Sequence, residues 1–150
     1  ILIITATLTK TSTEFIDKLR SSGLRPTKQR LKICEVLFNR EKTFHFTIND
    51  LAKSISEQLN EKISLATVYN TIHAFKDKGY LKEISINSDK SYFDTNITNH
   101  HHFFDESTNE LIDCNKDDIE KINVKKNITG KKIQSIEVLI KVASDNQNQN

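Results

Sequence analysis

At 150 residues, with 36% hydrophobic and 28% charged side chains, the chain is long enough for one large domain or two small ones, each with a modest core. No run approaches the ~18 apolar residues needed to cross a bilayer, so a membrane-spanning reading is excluded. The net charge of +2 is too small to argue for nucleic acid by itself, which leaves its placement to decide.

That placement is uneven. Residues 1–97 carry 15 Lys+Arg against 11 Asp+Glu, and residues 98–150 carry 7 against 9. From Arg20 to Lys32 the bases Arg20, Arg25, Lys28, Arg30 and Lys32 occur without one acid, the electrostatic footprint of a phosphate-binding surface. The opening Ile1-Leu2-Ile3-Ile4 is apolar but short and has no basic segment before it, so it does not read as a signal peptide. Residue 1 is not Met and does not define the natural start. Cys34 and Cys114 lie far apart without a CxxC pair, which fits a reducing, cytoplasmic setting.

In chain order, Thr11 to Ser22 carries Phe15, Ile16 and Leu19 at helical spacing and stops at Gly23. Pro26 forces an extended or turn geometry, and Thr27 is the N-cap expected for a helix whose buried stripe is Leu31, Cys34, Leu37 and Phe38. Lys28 and Arg30 stand at the start of that helix, where backbone N–H groups also favour phosphate. Thr47 with Asp50 resembles a capping box, and Ile48, Leu51, Ala52, Ile55 and Leu59 give the clearest helical pattern in the chain. After the turn Asn60-Glu61-Lys62 comes a further helix, Ile63 to Gly79, with Ser64 as N-cap and Leu65, Val68, Ile72 and Phe75 as its buried stripe.

The opposite face of this last helix is Thr67, Tyr69, Asn70 and His73, without an acid before Asp77. Hydroxyl, amide and phenol groups in place of mixed Glu and Lys suit base edges in a DNA major groove. His73 reads as a DNA-face or surface residue and not as a ligand. Tyr80 to Ile86 and Lys90 to Asp94, joined by Asn87-Ser88-Asp89, read as a hairpin, the wing of a winged helix-turn-helix.

Thr95 to Asn99 is polar and aperiodic, which places a domain boundary there, between residues 1–96 and 97–143. The remainder reads as a small α/β unit: a strand over Leu111–Cys114, a helix from Asp117 to Asn127 and a strand from Ile133 to Val142. So few large apolar groups are marginal alone, and burial against a second copy predicts a homodimer. The tail Ser144 to Asn150 is expected to be disordered. The fold class is therefore α+β, and no internal repeat occurs.

His100-His101-His102 carries the metal chemistry, with Asp94, Asp105, Glu106, Glu110 and Asp113 nearby in sequence. In extended structure His100 and His102 point one way and His101 the other. The cluster reads as a metal or haem site. A metal-dependent enzyme is the remote alternative, and without HExxH, GxSxG or a phosphate loop the reading is a non-enzyme.

Together these features resemble the ferric uptake regulator family of bacterial transcription regulators. The resemblance is carried by GLRPTKQR (Gly23–Arg30), HFTINDL (His45–Leu51), ISLATVYNTI (Ile63–Ile72), KSYFDT (Lys90–Thr95) and HHH (His100–His102). Within the family the chain looks most like the haem-responsive iron response regulators of alphaproteobacteria, which share YFDTN…HHH followed by aromatics and a short acidic loop.

The resemblance implies a dimeric regulator of iron or haem metabolism that binds a pseudo-palindromic, A·T-rich DNA operator and senses haem or a divalent ion (Fe, Mn or Zn). The family's sensory site at the domain junction matches His45, Asp94, His102 and Asp113, with Phe104 at a position expected to be histidine. A second site is matched by His101 and Glu120, its aspartate falling at Phe103. The structural zinc motif is replaced by Ser107-Thr108-Asn109-Glu110, so that zinc site is expected to be missing. These departures leave His100, His101 and His102 as candidate haem ligands, although neither cysteine precedes a proline. For DNA, the resemblance places Tyr69 against thymine methyls with Ser64, Thr67 and Asn70 nearby, and Arg25, Lys28 and Arg30 on phosphates.

Overall fold

The computed structural model describes residues 2–146, with side chains described from Ser12 onward, Lys116 excepted. The last four residues of the expected disordered tail, 147–150, lie outside the described residues. The chain divides into two compact units, Ile1–Ile97 and Thr98–Asn150.

The first unit contains helices α1 (Leu2–Ser21), α2 (Lys28–Phe38), α3 (Ile48–Leu59) and α4 (Leu65–Asp77) and strands β1 (His45–Phe46), β2 (Lys82–Ser85) and β3 (Ser91–Asp94). Helix α1 begins nine residues earlier than its periodicity from Thr11 predicts. The caps are as the sequence requires: Thr27 and Thr47 sit in extended backbone and their hydroxyls accept from the N–H groups of Arg30 and Asp50. Ser64 also occupies an N-cap position, but its side chain makes no cap hydrogen bond. Asn60 closes α3 in the left-handed region, and Gly79 does the same after α4 at φ +82°, a conformation that disfavours any side chain.

Packing of α1 on α2, of α2 on α3 and α4, and of α3 on α4 buries Leu19, Ile33, Cys34, Leu37, Ile55, Val68, Ile72 and Phe75 in one core. Each large apolar side chain fully removed from water contributes about 1.5–3 kcal/mol before chain entropy is counted. Three details differ from the periodic reading. In α2, Ile33 is fully buried although the expected stripe omits it, while Leu31 and Phe38 are half-buried. Leu65 is 54% exposed, because it opens the first turn of α4 before the helix meets the core, and Thr71 is buried in the stripe instead. The Thr71 hydroxyl donates to the Thr67 carbonyl at 2.7 Å, so its burial leaves no polar atom unsatisfied.

The wing is a sheet of order β1-β3-β2, antiparallel throughout. An Asx turn, Asp89 N–H to Asn87 Oδ1 at 2.9 Å, closes the β2–β3 hairpin. Strand β1, which lacks a sequence signal of its own at two residues, pairs His45 with Asp94 and Phe46 with Phe93. Four helices around a core, a tight α3–α4 connection and a hairpin wing make this unit a winged helix-turn-helix.

The second unit is a sheet of order β5-β4-β6 built from β4 (His101–Asp105), β5 (Glu110–Cys114) and β6 (Leu139–Val142), with β4–β5 antiparallel and β4–β6 parallel. Asp105 Oδ1 accepts from the backbone of Ser107 at 2.8 Å and of Thr108 at 3.3 Å, which shapes the hairpin turn without a CxxC.

The expected helix Asp117–Asn127 is corrected to a single 3₁₀ turn, Lys116–Asp118, closed by reciprocal Asn115–Asp118 capping. The β-branched residues after it find no core: Ile122 and Val124 are 36% and 48% exposed, and a short helix without a buried face does not hold. The expected strand Ile133–Val142 shortens to Leu139–Val142, because its partner β4 offers pairing only up to the register His102↔Leu139.

Candidate functional site

Within the first unit, the β1–β3 register sets His45 opposite Asp94, and His45 Nε2 lies 3.2 Å from Asp94 Oδ2. Asp94 is fully buried, and its Oδ1 accepts from Asn96 N–H at 2.8 Å. Such a carboxylate is oriented by the backbone and keeps its other oxygen directed at an imidazole.

Within the second unit, the β4–β5 register sets His102 opposite Asp113. His102 Nε2 is 3.4 Å, and His100 Nε2 3.2 Å, from the same Asp113 Oδ1, with the two rings 4.3 Å apart. The ligand atoms of these three residues lie within 4.8 Å of one another. His100 Nδ1 lies 2.7 Å from the Thr98 carbonyl. A carbonyl only accepts, so the ring's Nδ1 carries the proton and, in neutral imidazole, Nε2 presents a bare lone pair toward Asp113. Two imidazole nitrogens and a carboxylate oxygen converging in this way form the donor set of a divalent ion such as Mn²⁺, Fe²⁺ or Zn²⁺.

The alternation read from the sequence is realised here: His100 and His102 share one partner, while His101 Nδ1 accepts from Val138 N–H at 3.0 Å in the same sheet. His100, which the sequence places with the haem candidates and outside the metal set, therefore stands with His102 and Asp113. The i, i+2 spacing carried that signal. His101 is committed to the backbone, and Glu120 is exposed in the irregular stretch after the 3₁₀ turn. Phe104, where the resemblance expects histidine, is 4% exposed and serves as core, and Phe103 pairs with Ile112 across β4–β5.

On the first unit, Ser64, Tyr69 and Asn70 are exposed along α4 and Thr67 is half-buried. The Tyr69 ring is 52% exposed and lies 4.0 Å from the His73 ring. At the start of α2, Arg25 and Lys28 are exposed, with Lys28 Nζ 3.8 Å from Glu61 Oε2. Arg30 is half-buried and donates from Nη1 to the Arg25 carbonyl at 3.0 Å. Periodicity did not reveal the brace between α4 and the wing, Lys76 Nζ to Glu83 Oε2 at 3.0 Å. Burial raises the Glu83 pKa, but the hydrogen bonds from Lys76 and Ser91 outweigh it and hold the carboxyl below its ordinary range.

Residues 21–141 match the sequence pattern of the Ferric uptake regulator family. The chain belongs to that family. Its members are transcription regulators and not enzymes. The chain is 32% identical over 109 residues to the peroxide-responsive repressor PerR of Staphylococcus epidermidis, covering 73% of this chain and 71% of the relative. It is similar in structure to the ferric uptake regulator from Pseudomonas aeruginosa with manganese, at TM-score 0.63 and 25% identity, over 87% of this chain and 97% of that one. The ferric uptake regulator of Vibrio cholerae gives the same TM-score of 0.63 and 25% identity, over 86% and 98%. The match to PerR is at the level of the family and not of the iron response branch that the sequence resembles. Among the described residues no helix is long and apolar enough to cross a membrane.

Proposed function

We propose that this chain is a dimeric, sequence-specific DNA-binding transcription regulator whose operator affinity is set by a divalent metal ion, with His100, His102 and Asp113 as its donors in the second unit and His45 and Asp94 as a candidate donor pair in the first. The observation that carries this reading is the convergence of His100 Nε2 and His102 Nε2 on one carboxylate oxygen, Asp113 Oδ1, at 3.2 and 3.4 Å. A lone pair and a carboxylate oxygen repel unless a cation or a proton stands between them. The His45–Asp94 pair supplies two further donors of the same kind. A bound ion contributes positive charge among these donors. Occupancy is coupled to DNA binding by residues 1–96, while residues 97–143 dimerise and sense. Such coupling is typically about 1–3 kcal/mol.

On DNA, Tyr69 reads thymine methyls with Ser64, Thr67 and Asn70 alongside, and Arg25, Lys28 and Arg30 hold phosphates. Asn70 suits an adenine edge through N6 and N7. Dimerisation is supported by the apolar side chains that the second unit leaves in water, Ile112, Ile128, Ile133 and Val142, at 38% to 68% exposure. Such a regulator works where the DNA is, in the cytoplasm.

The 32% identity to a peroxide-responsive repressor favours a second, finer reading, in which peroxide lowers the DNA affinity of the metal-loaded form. Iron response through haem at His100–His102 is the competing one, and the backbone bond of His101 and the shared carboxylate of His100 and His102 weigh against it. The test is a titration of the purified dimer with Mn²⁺, Fe²⁺ and ferric haem, following binding to an operator selected from random duplexes together with the haem absorption band. Metal-dependent binding without a specific haem band supports the metal reading. A haem band that disappears on His100→Ala and His102→Ala, with DNA released on loading, replaces it.

A further inference from the structure

The Tyr69 ring does not stand alone on its helix. Four residues further along α4, one turn on, the His73 ring lies against it, with centroids 4.0 Å apart and planes inclined by 33°. His73 in turn meets the edge of Phe93 at 5.6 Å and 77°. Phe93 is 2% exposed, fixed in the central strand β3 and stacked on Phe46 at 5.9 Å. The three rings Tyr69, His73 and Phe93 therefore run from the exposed face of α4 down to the buried face of the wing sheet.

We propose that His73 is a positioning residue for base readout, seating the Tyr69 ring in the orientation it uses in the major groove. The inference rests on the reading of Tyr69 as a base-contacting residue. A phenol half in water on an isolated helix face samples several rotamers, and ordering it costs free energy at the moment of binding. A ring held against its flank, itself seated on the core, removes those rotamers beforehand. His73 acts through Tyr69 and needs no contact with DNA. The imidazole is also polar, so loss of its ring nitrogens is the competing explanation for any effect of removing it.

The experiment compares operator and scrambled duplexes, the operator being selected in vitro with the wild-type dimer in Mn²⁺, for His73→Ala, His73→Phe, Tyr69→Ala and the His73→Ala/Tyr69→Ala double variant. An aromatic pair of this geometry corresponds to about threefold to tenfold in affinity. The expected result is a loss of that size for His73→Ala on the operator alone, recovery in His73→Phe, which keeps an aromatic ring and drops the ring nitrogens, and no further loss in the double variant beyond Tyr69→Ala. Thermal unfolding of each variant separates this from a folding defect, and His73→Gln, which removes the ring and keeps polarity, stands in if His73→Ala does not fold. If His73→Phe fails to recover affinity, or the losses add in the double variant, His73 acts through its ring nitrogens or by direct contact and the proposal is overturned. If Tyr69→Ala loses operator selectivity while His73→Ala does not, the proposal fails and the reading of Tyr69 stands. If Tyr69→Ala keeps its selectivity, the reading of Tyr69 fails first and the proposal with it.

Discussion

Thr98 fixes the proton of His100. Its carbonyl lies 2.7 Å from Nδ1, so the Nε2 that stands 3.2 Å from Asp113 carries a lone pair when the ring is neutral. Asp113 Oδ1 also stands 3.4 Å from His102 Nε2, which makes this one oxygen the point on which both imidazoles converge. Replacing it tests the donor set. Asp113→Asn is expected to lower Mn²⁺ affinity by about 100-fold, the upper range for groups that orient or complete such sites. Competition titration against a fluorescent chelator measures it, and an unchanged affinity would remove Asp113 from the ligand set.

The two kinds of DNA contact separate by salt and by sequence. Tyr69→Ala is expected to lose about 1–3 kcal/mol on the operator and to relax selectivity, whereas Lys28→Ala weakens all duplexes alike and lowers the salt slope by about 1. Binding isotherms on operator and random DNA across a salt series distinguish them. Equal loss on both duplexes for Tyr69→Ala would take it out of base readout.

Much of this face was legible in the sequence. Thr27, Thr47 and Gly79 mark helix ends by local chemistry, and the stripe of α3 follows from spacing alone, whereas that of α2 omitted the fully buried Ile33. Leu65 escaped because periodicity does not say where along a helix the core begins. In the second unit the same reasoning failed for the helix after Asp117, whose existence depends on a burial partner that periodicity does not supply. At the site, the resemblance proposed His45, Asp94, His102 and Asp113, and the i, i+2 spacing of His100 and His102 already carried the signal that adds His100.

Cys34 gives a pH prediction. Burial pushes its thiol from an ordinary 9.0 up to about 12, while Lys18 nearby opposes the shift. The folded pKa exceeds the unfolded one, so the folded state retains a proton that the unfolded state gives up. Stability is fully present below pH 9 and falls as pH rises from 9.0 toward 12. At pH 8 a thiol reagent is expected to leave Cys34 unlabelled until denaturant is added, and mass spectrometry of the peptide decides the point. Rapid labelling of the native protein would contradict the packing of α2.

The Lys76–Glu83 brace has the opposite sign. The folded Glu83 carboxyl is held below its ordinary 4.5, so its contribution is present above that pH and lost as pH falls through the lower folded value. Both side chains are about a third exposed, and the pair contributes below about 1 kcal/mol. Urea unfolding of the wild type and Glu83→Gln is expected to show a small gap at pH 7 that closes at pH 3. A gap that persists at pH 3 would mean that the carboxylate charge is not its cause.

The most direct measurement is the Mn²⁺ dependence of operator affinity in the wild-type protein and in His100→Ala, with thermal unfolding followed in parallel. The account predicts that Mn²⁺ changes wild-type operator affinity by about 5- to 150-fold, the range of a coupling of this kind. It also predicts that His100→Ala, still folded, shifts the response to at least tenfold higher Mn²⁺. An operator affinity indifferent to Mn²⁺, Fe²⁺ and Zn²⁺ in the wild type, or a His100→Ala response identical to it, would contradict the assignment of His100 and its neighbours as the sensing site.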